Sequence, residues 1–319
     1  MIQGVVFALS ACLFWGLIFI VPQFLESFSS VEVTLGRYFF YAIISITIFA
    51  RARLKGFCRY KRPIWFKALY FSLASTMVYY TALVMALRCC APAICALVLG
   101  TSPIAIAFYG NWKKKECSNR SLILPSVLIL LGLVIINVPH IEATDSISDY
   151  ILGLFCCLIS LAAWSWYVVA NSKFFQDNPH VSSNDWATLM GVSTLFWVVL
   201  CGSAFTLTGI VQVEKFLTLS PELTNYLIGC GILGLFCSWI GGFLWNKASH
   251  YLPVTLAGQM TIFETIFGLL FVYLLAQQVP PLMECVGILI LLGAVGYGLT
   301  LSSKKLEPSS LTPEGRFGL

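Results

Sequence analysis

Ten apolar stretches, each about as long as a helix that crosses a bilayer, follow one another along this chain with only short connections between them. A helix rises 1.5 Å per residue, so roughly 20 apolar residues cross a hydrocarbon core about 30 Å thick. Stretches meeting that requirement run near 4–22, 32–50, 64–86, 92–111, 121–138, 151–170, 185–208, 223–246, 254–276 and 282–301. In lipid every backbone polar group must be bonded internally, which makes stretches of this length helices. The composition agrees, with 59% of the 319 residues apolar and 10% charged, against about 45–50% and about 25% in soluble domains. The chain therefore reads as an all-α membrane protein of ten transmembrane helices. No connection is long enough to bury a core of its own.

Orientation follows from the basic residues, which concentrate on cytoplasmic loops. With the amino terminus inside, that side receives Arg51, Arg53, Lys55, Arg59, Lys61, Arg62, Lys67, Lys113, Lys114, Lys115 and Arg120. Lys173, Lys247, Lys304, Lys305 and Arg316 join them, while the opposite side keeps Arg88 and Lys215 among Glu26, Glu32, Glu142, Asp145, Asp149, Glu214 and Glu222. Both termini are then cytoplasmic, as an even number of spans requires. The basic runs read as topology determinants on a solvated face rather than as nucleic-acid contacts. The first stretch lacks the basic flank of a signal peptide and is expected to be retained as a span. The Pro- and Ser-rich residues 302–319 read as a cytoplasmic tail.

The two halves match at fixed spacings. Gly4 precedes Trp15 by the interval at which Gly153 precedes Trp164. SVLILLGLVII, from Ser126, matches GILILLGAVGY, from Gly287, with Gly132 over Gly293 and, further back, Pro103 opposite Glu264. A one-residue slip sets Ala86 opposite Ala248. Five is odd, so consecutive five-helix halves enter the membrane from opposite sides. The expected architecture is two inverted five-helix repeats, the arrangement of alternating-access carriers with a midplane site between the halves.

The motifs LFWGLIFIVPQ, LGRYFFYAII, YYTALVMALRCCAPAICALVLGTSPI, AGQMTIFETIFGLLFVYLL and GILILLGAVGYGL carry a family resemblance over nearly the whole chain. They resemble the drug/metabolite transporter superfamily, specifically ten-helix carriers with two EamA repeats. The resemblance implies a first repeat over 1–138, an outward-facing linker at 139–150 and a second repeat over 151–301. It also implies an inner-membrane exporter of amino acids or related small metabolites. One departure is Ala276-Gln277, where many such repeats have Gly-Glu.

Ionisable groups inside a membrane are costly and mark functional sites. Glu264 lies about ten residues into its span and Arg37 about five from the outer end of its own. Glu264 is a candidate for a proton or a substrate ammonium, and Arg37 for a substrate carboxylate, through its planar fork of donors. The alternative is a buried Arg37–Glu264 pair that orders the bundle. Trp15 and Trp164, at equivalent positions, are candidates to line the cavity, with Tyr79, Tyr80, Trp245 and Asn246; helix packing is the alternative for each aromatic. Pro103 is a candidate hinge, since it removes a backbone donor and frees a carbonyl. Gly132, Gly287, Gly293, Gly296 and Gly298 mark close helix approaches within one chain or between two copies, so monomer and homodimer both stay open.

An enzyme is not expected: His140, His180 and His250 lie near loops, and neither HExxH nor a Walker A sequence occurs. A non-transporting scaffold or sensor is the other alternative. No cofactor is expected beyond a coupling proton or other ion. The 12 cysteines show no paired CxxC spacing; Cys12, Cys95, Cys156, Cys201, Cys230 and Cys237 read as small hydrophobes, Cys89 and Cys90 near a loop as at most reactive thiols, and no metal site is expected.

Overall fold

The computed structural model describes residues 2–51, 60–90, 92–114, 118–137 and 147–306. Arg53, Lys55, Arg59, Lys115, His140, Glu142, Asp145 and Arg316 lie outside them, as do most of the linker and the chain past Leu306. All regular structure among the described residues is helical. In chain order the helices are α1 (Ile2–Phe24), α2 (Val31–Arg51), α3 (Arg62–Ala86), α4 (Pro92–Gly100 and Ser102–Lys114), α5 (Asn119–Asn137), α6 (Ile147–Asp177), α7 (Ser183–Leu207), α8 (Pro221–Tyr251), α9 (Val254–Ala276) and α10 (Leu282–Leu306).

Eight of these, α1–α3 and α5–α9, are long and apolar enough to cross a membrane. Of the other two, α4 is interrupted for a local reason. In α4, Pro103 has no N–H to give Leu99, and the helix breaks at Thr101 between its two pieces. α10 runs unbroken over Leu282–Leu306, with apolar residues from Leu282 through Gly298 and on to Leu299 and Leu301. Large apolar side chains such as Leu13, Phe39, Ile46, Val127, Phe155, Val199, Ile228 and Leu289 stand exposed around the bundle. A soluble monomer rarely exposes so continuous an apolar surface, whereas lipid tails solvate it.

The closest packing joins α5 with α10, α2 with α7, α3 with α6, α1 with α8, and α4 with α9. Exchanging each helix for the one five places away maps this set of pairs onto itself. Backbone irregularities repeat the same way. α3 carries a wide helical turn at Leu73–Val78 and α8 one at Leu233–Ile240, each an insertion into the regular hydrogen-bond ladder. α9 breaks at Thr261 as α4 does at Thr101. At each break the threonine hydroxyl donates to a carbonyl three residues back, Thr101 to Val98 (2.6 Å) and Thr261 to Gly258 (2.7 Å). The two breaks match within one residue in the register that sets Gly132 over Gly293.

The α5–α10 contact is made within one chain. A Cβ on Gly132 would stand 3.0 Å from Gly287 O, and one on Gly287 3.0 Å from Gly132 O, so both must be small. Gly293 and Gly296 meet nothing within 4 Å, and Gly298 makes room for Gln259.

The bundle has two chemically different ends. At one, Lys67 lies over Phe174, Lys247 over Phe7, and Tyr60 bonds Asp185, so the basic ends of α3, α6 and α8 meet the starts of α1 and α7. At the other, Ser29 and Glu32 cap α2 reciprocally: Ser29 N–H donates to Glu32 Oε2 (2.7 Å), and Glu32 N–H to Ser29 Oγ (3.2 Å). Glu32 also accepts from Gln212 N (3.0 Å) and pairs with Lys215 (3.4 Å), while Tyr226 OH donates to its carbonyl (2.8 Å). Through its carboxylate Glu32 pins the α7–α8 connection onto α2, and through its carbonyl the start of α8.

Candidate functional site

Between the halves lies a cavity of about 1070 Å³. Its walls come from the second half of α1, the first half of α2, the second half of α3, the break in α4, the middle of α6, the wide turn of α8 and the second piece of α9. Toward the acidic end it reaches exposed Ala276 and Gln278. Toward the basic end it stops at buried Ala187, Trp245 and Asn246. The two wide turns and the two breaks border it through Ser75 and Thr76, Cys237 and Ser238, Gly100, Ser102 and Pro103, and Thr261, Ile262 and Glu264. Non-helical backbone at membrane depth is tolerated where it lines such a cavity.

Every site residue named from the sequence lines this one cavity: Trp15, Arg37, Tyr79, Tyr80, Pro103, Trp164, Trp245, Asn246 and Glu264. Arg37 and Glu264 do not form the structural pair considered as an alternative. Arg37 Nε donates to Ser238 Oγ (2.9 Å), and its terminal nitrogens have no acceptor among the described residues. Gly234, one turn before Ser238, makes this possible: a Cβ there would stand 2.9 Å from Arg37 O, so only glycine lets α8 lie against α2 at this point. Glu264 opens the second piece of α9, where the helix dipole favours an anion. Its carboxylate makes no hydrogen bond or ion pair with any described residue. Two opposite charges thus face one cavity, one tethered and one free.

The aromatic rings form a continuous wall. Trp15 and Trp164, repeat-equivalent in the sequence, meet edge to face with centroids 5.7 Å apart. Trp245 lies 5.3 Å from Trp15, Tyr79 5.2 Å from Trp164, and Tyr80 6.3 Å from Tyr79. Trp15 Nε1 donates to Cys237 O (2.8 Å), a carbonyl in the wide turn of α8. Trp245 Nε1 is buried without a partner among the described residues.

Asn246 is employed differently from the rest. It accepts at Oδ1 from Asn171 Nδ2 (3.0 Å), while Asn171 Oδ1 accepts from Trp186 Nε1 (2.8 Å). Asn246 Nδ2 reaches Ser183 O at 3.5 Å. This buried chain joins α6, α7 and α8 where the cavity stops.

Several lining residues went unnamed in the sequence reading. Ser238 and Tyr38 flank Arg37, with the Tyr38 ring centroid 5.1 Å from the guanidinium. Glu284, buried in the first turn of α10, accepts from Tyr273 OH (2.6 Å) near the exposed rim. An acidic residue in the first turn of a span was the available signal. Cys90, Cys95 and Cys157 come together although no sequence spacing links them.

Comparison with known proteins fits this architecture. Residues 2–138 match the EamA-like transporter family. The inner membrane protein YtfF of Escherichia coli strain K12 is 29% identical, over 97% of this chain and 98% of its own. A crystal structure at 16% identity superposes with a TM-score of 0.74, over 94% of this chain and 98% of that one, a likeness of fold alone.

Proposed function

Since this chain belongs to the EamA-like transporter family and is a membrane transporter of the drug/metabolite type, we propose that it is a secondary active carrier of amino acids or related zwitterionic metabolites, working by alternating access in the direction of export. The observation that carries this reading is a cavity lined by aromatic rings in which the Arg37 terminal nitrogens and the Glu264 carboxylate both lack partners among the described residues. Unpaired polar groups in a low-dielectric space cost several kcal/mol unless something else satisfies them. A carboxylate on Arg37 and an ammonium, or a coupling proton, on Glu264 would do so, with the aromatic wall covering the apolar part of the cargo.

The ten spans form two inverted repeats in this reading, 1–138 and 151–301, joined through an outward-facing linker. The self-mapping helix pairs and the repeated breaks at Thr101 and Thr261 support it. We further assign the protein to the inner membrane with both termini cytoplasmic. The name of the Escherichia coli relative and the gathering of Lys and Arg at one bundle end favour this. The cavity then faces outward.

The test is uptake of a labelled amino-acid panel into proteoliposomes with and without a pH gradient, for wild type and Glu264→Gln. Gradient-driven accumulation that the variant loses supports both carrier and site. Equal accumulation by the variant keeps the carrier and removes Glu264 from coupling. No movement of any panel member discards the amino-acid cargo, and absence of flux across nucleosides and sugars as well would favour a non-transporting scaffold.

A further inference from the structure

Three cysteines from different helices meet beside the cavity wall. Cys90 follows α3 in extended backbone (φ −145°, ψ 162°), which turns the chain toward α4. Cys95, on the first piece of α4, thereby returns to within 3.4 Å of it, sulfur to sulfur. Cys157 approaches from α6, and all three sulfurs lie within 4.8 Å of one another. Gly153, one turn before Cys157 on the same helix face, permits the approach: a Cβ there would stand 2.8 Å from Cys90 Sγ. The three side chains are 6%, 1% and 0% exposed, and all three thiols are free.

Thiols used only as small hydrophobes have no reason to converge. Three sulfurs at 2.3 Å from a common ion lie about 4 Å apart in a trigonal site and slightly closer on one face of a tetrahedron. The cluster has this donor number, with sulfurs 3.4 Å apart for Cys90 and Cys95 and within 4.8 Å throughout, and thiolates select thiophilic cations over hard ones. We propose that Cys90, Cys95 and Cys157 bind one thiophilic d¹⁰ metal ion of the zinc class. On binding, three Sγ–H bonds break as three metal–sulfur bonds form, three protons leave to water and no electron moves. Cys95 also lines the cavity, which gives a hydrated ion a path to the sulfurs. Because Cys90 and Cys95 belong to the first half of the chain and Cys157 to the second, the ion staples the halves together.

The test uses the full-length protein purified in detergent, kept reduced, freed of metal and then exposed to Cd(II) or Zn(II). Expected are one retained ion per chain, thiolate-to-cadmium charge-transfer absorption, and release of protons on binding. Cys95→Ser and Cys157→Ala should each weaken retention at least tenfold, whereas Cys230→Ser, in a thiol remote from the cluster, should not. If one cluster variant fails to fold, the other and Cys90→Ser carry the comparison, with folding checked by thermal melting. No retained ion, or retention unchanged in the cluster variants, overturns the site. So does a Cys90–Cys95 disulfide in the unreduced protein combined with no ion retained after reduction, which would make the pair a redox couple instead.

Discussion

Two groups of polar residues at the cavity, the amide chain at the basic end and the charges Arg37 and Glu264, are handled in opposite ways. At the basic end Trp186, Asn171 and Asn246 bond one another in sequence and are 0%, 0% and 2% exposed. Elsewhere along the wall, Glu264 makes no bond with any described residue and Arg37 uses one donor of five. A satisfied buried network rigidifies the packing around it. An unsatisfied pair of charges stores recognition for whatever enters. The difference separates polar residues that close the bundle from polar residues that await a ligand, although Asn246 of the first kind lines the same space as Arg37 and Glu264.

That contrast is best broken at Glu264. Exchange of one proton per substrate against one pH unit concentrates substrate about tenfold, equivalent to about 1.4 kcal/mol. Glu264→Gln is expected to erase this concentrating step in proteoliposomes while leaving detergent melting unchanged, because the carboxylate bonds to no described residue. A drop in melting temperature comparable with that of a core substitution would mean Glu264 is structural. Arg37→Lys should come next: loss of the planar fork costs about 1.5–3 kcal/mol of charged hydrogen bonding. It should appear as a KM raised about 10- to 100-fold for carboxylate-bearing substrates, measured by initial-rate uptake. An unchanged KM would take the carboxylate away from Arg37.

Asn171→Leu tests the other group. It strands Trp186 Nε1 and Asn246 Oδ1, a cost of about 1–3 kcal/mol, and is expected to lower the melting temperature without raising KM. The reverse pattern, a stable protein with impaired affinity, would move this chain of amides from the seal to the binding site.

The sequence made the spans legible because length and hydropathy carry them; α2, α5 and α9 begin and end within about two residues of the apolar stretches. Ionisable and aromatic residues inside those stretches were equally visible, and seven of those named share one cavity. The breaks at Thr101 and Thr261 and the wide turns in α3 and α8 were not legible, since a one-residue change in hydrogen-bond register leaves apolar composition untouched. Pairings across the chain were hidden for a different reason. Arg37 meets Ser238 across 201 residues, and Cys157 joins Cys90 only because Gly153 lets α6 approach, a matter of packing rather than spacing. Asn246 was identified as lining residue but not as part of a seal, because its partners Asn171 and Ser183 lie on two other helices.

The smallest effect is expected at Ser238, and it decides whether tethering matters. Ser238 Oγ is the only described acceptor for Arg37, and the backbone approach at Gly234 holds it there. Ser238→Ala removes the tether but not the charge, and water in the cavity can replace the lost bond. The net cost is therefore about 1 kcal/mol, seen as a KM raised about fivefold with kcat unchanged. Ser238→Thr retains the hydroxyl and should restore most of the loss. If Ser238→Ala instead matches Arg37→Lys, the guanidinium recognises substrate only in the one orientation α8 imposes, and the wide turn of α8 belongs to the binding site. If it changes nothing, Arg37 acts as an untethered charge, and the difference between the two groups rests on Glu264 alone.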